Sequence, residues 1–376
     1  MKQRKTSRPK KWGTICLAAF SALAVVIVAF ATWQEADACT GITLKAQDGS
    51  AIQARTMEWG AFDLESEVMV TPRGLDLQST TPDNKPGLKW KSKYGVVGLN
   101  ALHKPAYTDG FNEKGLAISV LYLPGFAEYQ VYDPKQADKS LDSMDLPMWL
   151  LTNFATVDEV REGLPKVRVV PIPVKELGGI PAPLHFLVSD ATGKTIVIEY
   201  LKGKLNVFDN PVGVLTNSPE FPWHLTNLSN YVGLQAKSWK PVKVGDLEVK
   251  PLGVGTGMLG LPGDYSPPSR FVRAVALRNT VRPLATGEDA VLEAFRILNN
   301  FDIPLGAVDA PGKDIMGSTI WTSAIDTKAL RYYYRTQYNS RLRMVDLKAI
   351  DLSKDKIIYV PMDSEKKQDY ETVTVK

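Results

Sequence analysis

Cysteine is almost absent from this chain, which has only Cys16 and Cys39 among its 376 residues. Histidine is also scarce, since there are only three, at His103, His185 and His224. Internal disulfides are therefore not expected, and no cluster of His, Cys, Asp and Glu shows the spacing of metal ligands. A thiol in a chain so poor in cysteine is better explained by a chemical role than by a structural one.

Long apolar runs are also lacking, with one exception near the start. A basic segment at residues 2–11 precedes an apolar run at 13–32 and then Ala36-Asp37-Ala38. This order is typical of a secretory signal that is cleaved after Ala38. The alternative is an uncleaved membrane anchor, because the run has borderline length for a span, but the Ala-x-Ala pattern favours cleavage. We predict that residues 1–38 are a signal peptide and are removed. We predict that 39–376 form a single domain, and that the product is exported to the periplasm or secreted, without stable membrane association.

An excess of charge is lacking as well once the predicted signal is set aside. Residues 1–38 contain six Lys/Arg and two Asp/Glu, which leaves 39 residues of each sign in 39–376. The formal charge of +4 on the full chain therefore belongs to the signal. No basic stripe with interleaved aromatic residues is present, so no nucleic-acid partner is expected.

Cys39 would become the first residue after this cleavage, so its thiol and a free α-amine would lie on one residue. An α-amine titrates at about 7.7–8.0 and a thiol at about 8.5, so both are poised near neutral pH. An N-terminal amine can act as the base for its own nucleophile. Two other interpretations are an ordinary small residue near a cleavage site and a lipidated cysteine. A lipoprotein signal usually has Leu three residues earlier, where this chain has Ala36.

The segments 40–46 and 51–57 have strand-like patterns and are joined by an Asp-Gly turn, which predicts a hairpin. Cys39 and Arg55 would then be neighbours across the strand pair. A cation beside the thiol would lower the thiol pKa. Glu58 could hold the α-amine or support Arg55, and a purely structural Arg–Glu pair is the alternative.

The rest of the chain predicts an α+β domain of stacked antiparallel sheets flanked by helices, because strands, helices and further strands follow in blocks. A polar loop is expected at 79–93 and a turn at 109–115. The predicted strands are 65–72, 94–99, 116–123, 184–189, 195–200, 205–208, 212–216, 319–325, 330–335 and an edge strand at 343–347; the predicted helices are 146–164, 270–282 and 288–299.

Four further features have both a functional and a structural interpretation. Asn217 ends a strand, where its amide could stabilise an oxyanion or simply form a turn. Arg270 is predicted to open a helix capped by Ser269; a cation there is unfavourable, so an anionic partner or a surface ion pair is expected. His224 is the best candidate for a Cys–His dyad, and a hydrogen-bonded core or surface histidine is the alternative. The G-x-G-x-x-G match at 255–260 is followed by Pro and Gly, which predicts a loop and not a nucleotide site.

Taken together, the motifs resemble the choloylglycine hydrolase family, which includes penicillin V acylases and conjugated bile salt hydrolases and belongs to the N-terminal nucleophile hydrolases. The matching stretches occur in the family's order and span most of residues 39–376. They are Cys39-Thr40-Gly41, Arg55-Thr56-Met57-Glu58, 109–116, 205–210, 213–219, Trp223-His224, 261–265 and Ser269-Arg270-Phe271.

The resemblance implies a four-layer αββα sandwich, usually a homotetramer, with no metal or cofactor. It implies that Cys39 is the nucleophile, that its α-amine is the base and that Asn217 is an oxyanion donor. Arg55 and Arg270 would frame the thiol, and Glu58 replaces the family's usual Asp. Tyr122 and Trp59 are implied to bind substrate: Tyr122 favours the acylase side, because bile salt hydrolases tend to have Asn there, and Trp59 is placed in the acyl pocket.

The resulting hypothesis is an exported amidase that cleaves linear C–N amide bonds of a small molecule and most resembles a penicillin V acylase. The alternatives with the same chemistry are a conjugated bile salt hydrolase and an N-acyl homoserine lactone acylase. An alternative of another class is a lipidated binding protein anchored through Cys39, which an intact mass of the mature terminus would separate from the enzymes.

Overall fold

The computed structural model describes residues 39–60, 62–308 and 317–375. The predicted signal at 1–38 lies outside these residues. Within the described ranges, none of the helices has the length and apolar character that crossing a membrane would require.

The described residues form five α-helices and twenty-two short strands. The helices are α1 (Leu146–Asn153), α2 (Val157–Gly163), α3 (Phe221–Asn227), α4 (Pro267–Asn279) and α5 (Gly287–Leu298). The strands are β1 (Thr40–Lys45), β2 (Ala51–Trp59), β3 (Glu67–Thr71), β4 (Asp76–Thr80), β5 (Pro86–Lys91), β6 (Val96–Asn100), β7 (Tyr107–Asn112), β8 (Ala117–Tyr122), β9 (Ser140–Asp142), β10 (Arg168–Val170), β11 (Pro173–Val174), β12 (Ile180–Pro181), β13 (Leu184–Ser189), β14 (Thr195–Leu201), β15 (Lys204–Asp209), β16 (Val214–Leu215), β17 (Val242–Val244), β18 (Leu247–Val249), β19 (Ser318–Asp326), β20 (Arg331–Thr336), β21 (Asn339–Asp346) and β22 (Ile358–Pro361).

Two large antiparallel sheets form the centre of the molecule. The first has the order β16-β1-β2-β19-β20-β21, and the second has the order β15-β14-β13-β8-β7-β6-β3-β22. Helices α4 and α5 pack on the first sheet, and α1 packs on the second. One apolar cluster fills the space between the sheets and continues under α4 and α5, and a second lies between the second sheet and α1 and α2. The predicted αββα sandwich is confirmed.

The hairpin that carries the N-terminal part of the site is also confirmed. β1 and β2 pair antiparallel with Gly41 opposite Arg55 and Thr40 opposite Thr56. All nine residues of β2 are buried, because the strand lies inside the first sheet with helices on one face and the second sheet on the other. Polar side chains of β2 therefore need partners within the protein.

Three local predictions were wrong in part. The predicted loop at 79–93 contains part of the β4–β5 hairpin, in which Leu88 and Trp90 are partly buried and alternate with lysines. The predicted turn at 109–115 is present only in its second half, where the Gly115 N–H donates to the Asn112 carbonyl oxygen. Its first half belongs to β7, in which Asp109 is buried and accepts hydrogen bonds from three hydroxyl groups. The predicted helix at 146–164 breaks at Phe154, which is extended, and restarts after Thr156, whose hydroxyl caps α2.

The Gly-rich match at 255–260 is a loop, as predicted. Gly255 and Gly260 have φ values of 87° and 86°, which favour glycine over other residues. The segment Thr256–Met258 forms only a 3-10 turn, so it lacks the strand-to-helix context of a nucleotide site.

Candidate active site

Cys39 lies directly before β1 and is 3% exposed. Its backbone nitrogen donates a hydrogen bond of 2.9 Å to Oδ1 of Asn217. In the chain described here this nitrogen is the peptide N–H that joins Cys39 to Ala38, and it stands in for the α-amine that cleavage would produce. The strand pairing β1–β16 brings the two residues together, because Leu215 of β16 lies opposite Gly41.

Arg55 donates from Nη2 to the Cys39 sulfur at 2.9 Å. Its other donors bind the carbonyl oxygens of Thr56 and Thr108, each at 3.1 Å, and of Val120. The guanidinium also lies 5.2 Å above the Trp321 ring. These contacts fix a fully buried cation against the sulfur, and a cation in that place favours the thiolate. The predicted contact between Arg55 and the thiol is present.

Arg270 contacts the backbone of Cys39 instead of its sulfur. Its Nη1 donates to the Cys39 carbonyl oxygen and, at 3.0 Å, to Oγ1 of Thr40, and its Nη2 donates to Oδ1 of Asn217 at 2.6 Å. Burial lowers the pKa of Arg270 to about 10, so the group remains a cation at neutral pH. The prediction that Arg270 opens a helix after Ser269 is wrong: α4 begins at Pro267, whose fixed φ suits the first helical turn.

Asn217 joins these two groups through its side-chain amide. Its Oδ1 accepts from the Cys39 nitrogen and from Arg270, and its Nδ2 donates to the Tyr122 carbonyl oxygen at 2.8 Å. Two donors face one side of the amide and an acceptor faces the other, so the hydrogen-bond network fixes the orientation of the amide. The oxygen of the amide therefore faces Cys39 and the nitrogen faces the Tyr122 backbone.

Glu58 is buried near the same centre and its hydrogen-bond partners are hydroxyl groups. Oε1 accepts from Thr319 at 2.7 Å and Oε2 accepts from Thr56 at 3.1 Å. Burial raises the pKa of Glu58 to about 7, and the positive charge of Arg270 is the largest opposing effect. Among the described residues Glu58 forms no ion pair within 4.0 Å, so the alternative of a structural Arg–Glu pair is not observed.

A mostly apolar cleft opens beside the Cys39 thiol. Trp59 stands edge-on to Phe62 and to Tyr122, with ring centroids 5.2 and 5.6 Å away. Both predicted substrate-binding residues, Trp59 and Tyr122, line this cleft together with Cys39. The other lining residues include Met57, Phe62, Leu64, Val120, Met144, Pro147, Val174, Leu177, Ala182 and Leu184.

The histidines are used elsewhere. Nε2 of His224 donates to the Asn217 carbonyl oxygen at 2.9 Å, and its Nδ1 has no hydrogen-bond partner among the described residues. Burial lowers the pKa of His224 to about 4. The proposed Cys–His dyad is therefore not what the structure shows. The ring nitrogens of His103 lie at the surface against the carboxyl groups of Glu65 and Glu67, at 3.0 and 3.1 Å.

Sequence reasoning missed the two hydroxyls that bind Glu58. Thr319 lies directly opposite Glu58 in the β2–β19 pair, and Thr56 precedes Glu58 by two residues on the same strand face. Only the register between distant strands could have identified Thr319, and no local motif around it carries that information.

The assembled groups can support nucleophilic attack by a thiol. The Arg55 guanidinium favours the thiolate, and the Arg270 guanidinium binds the Cys39 backbone. The Cys39 nitrogen donates to the Asn217 amide oxygen, which can hold an α-amine. An apolar cleft next to the sulfur can take the acyl part of a substrate.

Comparisons with known proteins agree with this chemistry. A family model described as linear amide C-N hydrolases, choloylglycine hydrolase family, matches residues 39–365. A bile salt hydrolase/transferase from Clostridium perfringens is 36% identical over 324 residues, covering 85% of this chain and 95% of that protein.

Solved structures are similar over most of the chain. A variant of the conjugated bile acid hydrolase from Clostridium perfringens has a TM-score of 0.78 at 32% identity, covering 89% of this chain and 100% of that one. Penicillin V acylase from Agrobacterium tumefaciens has a TM-score of 0.69 at 27% identity, covering 86% and 92%. The chain described here is therefore an amide C–N hydrolase of the N-terminal nucleophile type and belongs to the choloylglycine hydrolase family.

Proposed function

We propose that this protein is an exported amidase of the penicillin V acylase kind. Its nucleophile is Cys39, which removal of residues 1–38 makes the first residue. Its preferred substrates carry an aromatic acyl group. The observation that carries this proposal is the pair of 2.9 Å contacts that places Arg55 on the Cys39 sulfur and Asn217 on the Cys39 nitrogen. After cleavage that nitrogen is an α-amine. Because it belongs to the same residue as the nucleophilic thiol, no second residue is needed as the base.

In the proposed reaction the Cys39 sulfur attacks the amide carbonyl carbon and the α-amine takes the thiol proton. The carbonyl π electrons move to oxygen. One N–H of the Asn217 Nδ2 group binds the Tyr122 carbonyl oxygen, and its second N–H, together with a backbone N–H, stabilises the oxyanion. The carbonyl then re-forms, the C–N bond breaks, and the ammonium of Cys39 gives its proton to the leaving amine. Water, deprotonated by the same amine, hydrolyses the thioester and releases the acid. Removal of one oxyanion donor typically costs about 10²–10³ in rate.

The lining of the cleft supports an aromatic acyl group. The cleft beside the sulfur is walled by three aromatic rings, those of Trp59, Phe62 and Tyr122. Tyr122 also supplies the backbone oxygen that binds Asn217, so the residue that limits the acyl pocket is tied to the reacting centre. Glu58, whose carboxyl is linked through Thr56 to the Thr40 backbone, is proposed to stabilise the charges around the amine.

A conjugated bile salt hydrolase is the second candidate, and the 36% identity to the Clostridium perfringens bile salt hydrolase/transferase favours it. Release of glycine or taurine from conjugated bile salts should be compared with release of the β-lactam nucleus from penicillin V, with long-chain acyl homoserine lactones as a third substrate set. We expect the highest kcat/KM for penicillin V. A higher value for bile salts would reject the acylase preference but not the amidase.

The role of Cys39 has its own test. Cys39→Ser should keep the fold and lose nearly all turnover, and an intact mass of the exported protein should show Cys39 as a free first residue. Full activity of the serine variant would reject the nucleophile. A diacylglyceryl mass on Cys39 would instead support the lipidated binding protein.

Self-association, as a homotetramer, is also proposed. The β17–β18 hairpin carries Val242, Val244, Leu247 and Val249, which are between 43% and 65% exposed, and Leu252 and Val254 follow at 97% each. Exposed apolar surface of this kind favours burial against other copies. Light scattering should give the mass of four copies for the wild type. The double variant Val244→Asp, Leu247→Asp should give a mass of fewer than four copies.

A further inference from the structure

Three buried titratable residues lie behind the active site and have no part in the proposed reaction. His185 of β13 and Glu199 of β14 are fully buried on the face that looks toward the first sheet, and His224 of α3 is fully buried beside them. A buried ionisable group is costly unless its hydrogen bonds are satisfied. Their contacts therefore indicate what each residue does.

His185 bridges Glu199 and the backbone before Asn217. Its Nδ1 lies 2.9 Å from Oε1 of Glu199, and its Nε2 lies 2.9 Å from the Thr216 carbonyl oxygen. A carbonyl oxygen only accepts, so Nε2 must carry the proton. The Glu199 carboxyl also accepts from the Phe221 N–H, at 3.0 Å and 3.2 Å for its two oxygens, which ties the first residue of α3 to the same pair.

His224 holds the next carbonyl along the chain. Its Nε2 donates to the Asn217 carbonyl oxygen at 2.9 Å, and its ring is stacked on Phe271 with centroids 4.7 Å apart. Phe271 directly follows Arg270 on α4. The same stack therefore links the imidazole to the helix that presents Arg270 to Asn217 and Cys39.

The Nε2–H groups of His185 and His224 thus bind two consecutive carbonyl oxygens, those of Thr216 and Asn217. The Asn217 side chain points from this same short segment to the Cys39 nitrogen and to Arg270. We propose that His185, Glu199 and His224 are positioning residues that fix the Asn217 side chain relative to Cys39 and the substrate carbonyl. This inference rests on the proposed function, because it assigns a precise place to the Asn217 amide in that reaction.

If the two histidines fix the Asn217 side chain, their loss should lower the reaction rate. Misplacement of a reacting group by about 1 Å can cost about 10² in rate. Substrate binding by the acyl cleft does not depend on the two histidines, since neither lines that cleft. Loss of either N–H should therefore lower kcat and leave KM nearly unchanged.

The test compares His224→Gln with His224→Asn in the processed full chain. The Gln amide nitrogen reaches the position of Nε2 and keeps the donor, whereas the Asn amide nitrogen corresponds to Nδ1 and does not reach the carbonyl. We expect kcat to fall about 10–100-fold in His224→Asn, with KM within about threefold, and to recover largely in His224→Gln. Tyr200→Phe is the matched control, because it removes from the strand that holds Glu199 a buried hydroxyl for which the described part of the chain offers no hydrogen-bond partner.

Equal kcat values for His224→Asn and His224→Gln would overturn the inference, as would a loss that appears in KM alone. If His224→Asn does not fold, Glu199→Gln decides in its place: it should lower kcat with an unchanged KM, and wild-type kcat there would also overturn the inference. If the wild type turns over none of the amides, the proposed function fails. The inference is then judged by alkylation of the Cys39 thiol with iodoacetamide, whose rate should differ at least threefold between wild type and His224→Asn.

Discussion

Arg55 and Arg270 are both fully buried and both donate hydrogen bonds to Cys39, but to different atoms. Arg55 comes from the middle of a sheet and binds the sulfur, while its other donors bind backbone carbonyls. Arg270 comes from the first turn of a helix and binds the Cys39 carbonyl oxygen and Asn217. The first cation therefore acts on the charge of the thiol, and the second fixes where residue 39 and Asn217 lie.

Their counter-charges differ as well. Burial raises the pKa of Asp109, and the positive charge of Arg55 opposes that rise in part. Arg270 acts in the same way on Glu58. Arg55 also acts on Glu58, but less strongly than Arg270 does. Both carboxyls are held by hydroxyl groups, those of Ser119, Ser323 and Tyr332 for Asp109 and those of Thr56 and Thr319 for Glu58. Replacement of either arginine by a neutral residue should therefore raise the pKa of a buried carboxyl further.

The largest effect is expected from Arg55→Met. A hydrogen bond to a charged group is worth about 1.5–3 kcal/mol, so loss of the contact with the sulfur should lower kcat/KM by about 10–10² at neutral pH. The pH profile of Cys39 alkylation should move to higher pH, because the thiolate loses its cation. Iodoacetamide rates at several pH values measure this. Arg55→Lys is the control that keeps the charge, and an unshifted profile in Arg55→Met would contradict the assignment.

Arg270→Lys should separate the second role from the first. Lysine keeps the charge but lacks the planar fork that reaches the Cys39 carbonyl, Thr40 and Asn217 together. We expect kcat to fall about tenfold to a hundredfold, from the misplacement of reacting groups, while the pH profile of alkylation stays close to that of the wild type. If Arg270→Lys moves that profile as far as Arg55→Met does, the two arginines do the same work and the comparison fails.

Glu58 should leave a signature in stability against pH. Its pKa is raised from 4.5 to about 7 in the folded protein, so between these values the folded state binds the proton more tightly than the unfolded state. The free energy of unfolding should then fall as pH rises from 4.5 to 7, by about 3 kcal/mol for this one group. Above about pH 7 the titration of Glu58 causes no further fall in the free energy of unfolding.

Urea unfolding of wild type and Glu58→Gln at pH 5 and pH 7.5 measures this fall, because the variant lacks the titrating group. Asp142 provides a matched control, since burial raises its pKa to about 7 as well and it lies away from the thiol. Asp142→Asn should also flatten the stability profile but keep the pH dependence of turnover. An identical slope for wild type and Glu58→Gln would contradict the shift.

Much of this site could be predicted from local sequence. The Asp-Gly turn defined the hairpin, and a hairpin of that length places Cys39 beside Arg55. The positions of Asn217 and Arg270 were predicted only through resemblance, because their contacts join segments about 180 and 230 residues from Cys39. Local patterns carry no information on such pairings. For the same reason the Thr319 hydroxyl and His185 were not assigned a place in the site, and His224 was assigned to the thiol although it binds the Asn217 carbonyl oxygen.

The smallest effect is expected from the Tyr122 side chain, and it tests whether the acyl cleft is independent of the two arginines. The Tyr122 group that binds Asn217 is a backbone oxygen, so Tyr122→Asn keeps the reacting centre but replaces an aromatic wall with a short polar one. We expect kcat/KM for penicillin V to fall about threefold to tenfold through KM, since loss of an aromatic contact is worth about 0.5–1.5 kcal/mol, with an unchanged pH profile of alkylation. Trp59→Phe, which keeps a ring against Phe62, should lose less. A fall in kcat in place of a rise in KM would mean that the ring, and not only the backbone of Tyr122, holds Asn217 in place, and the cleft would then belong with Arg270 as part of the positioning machinery.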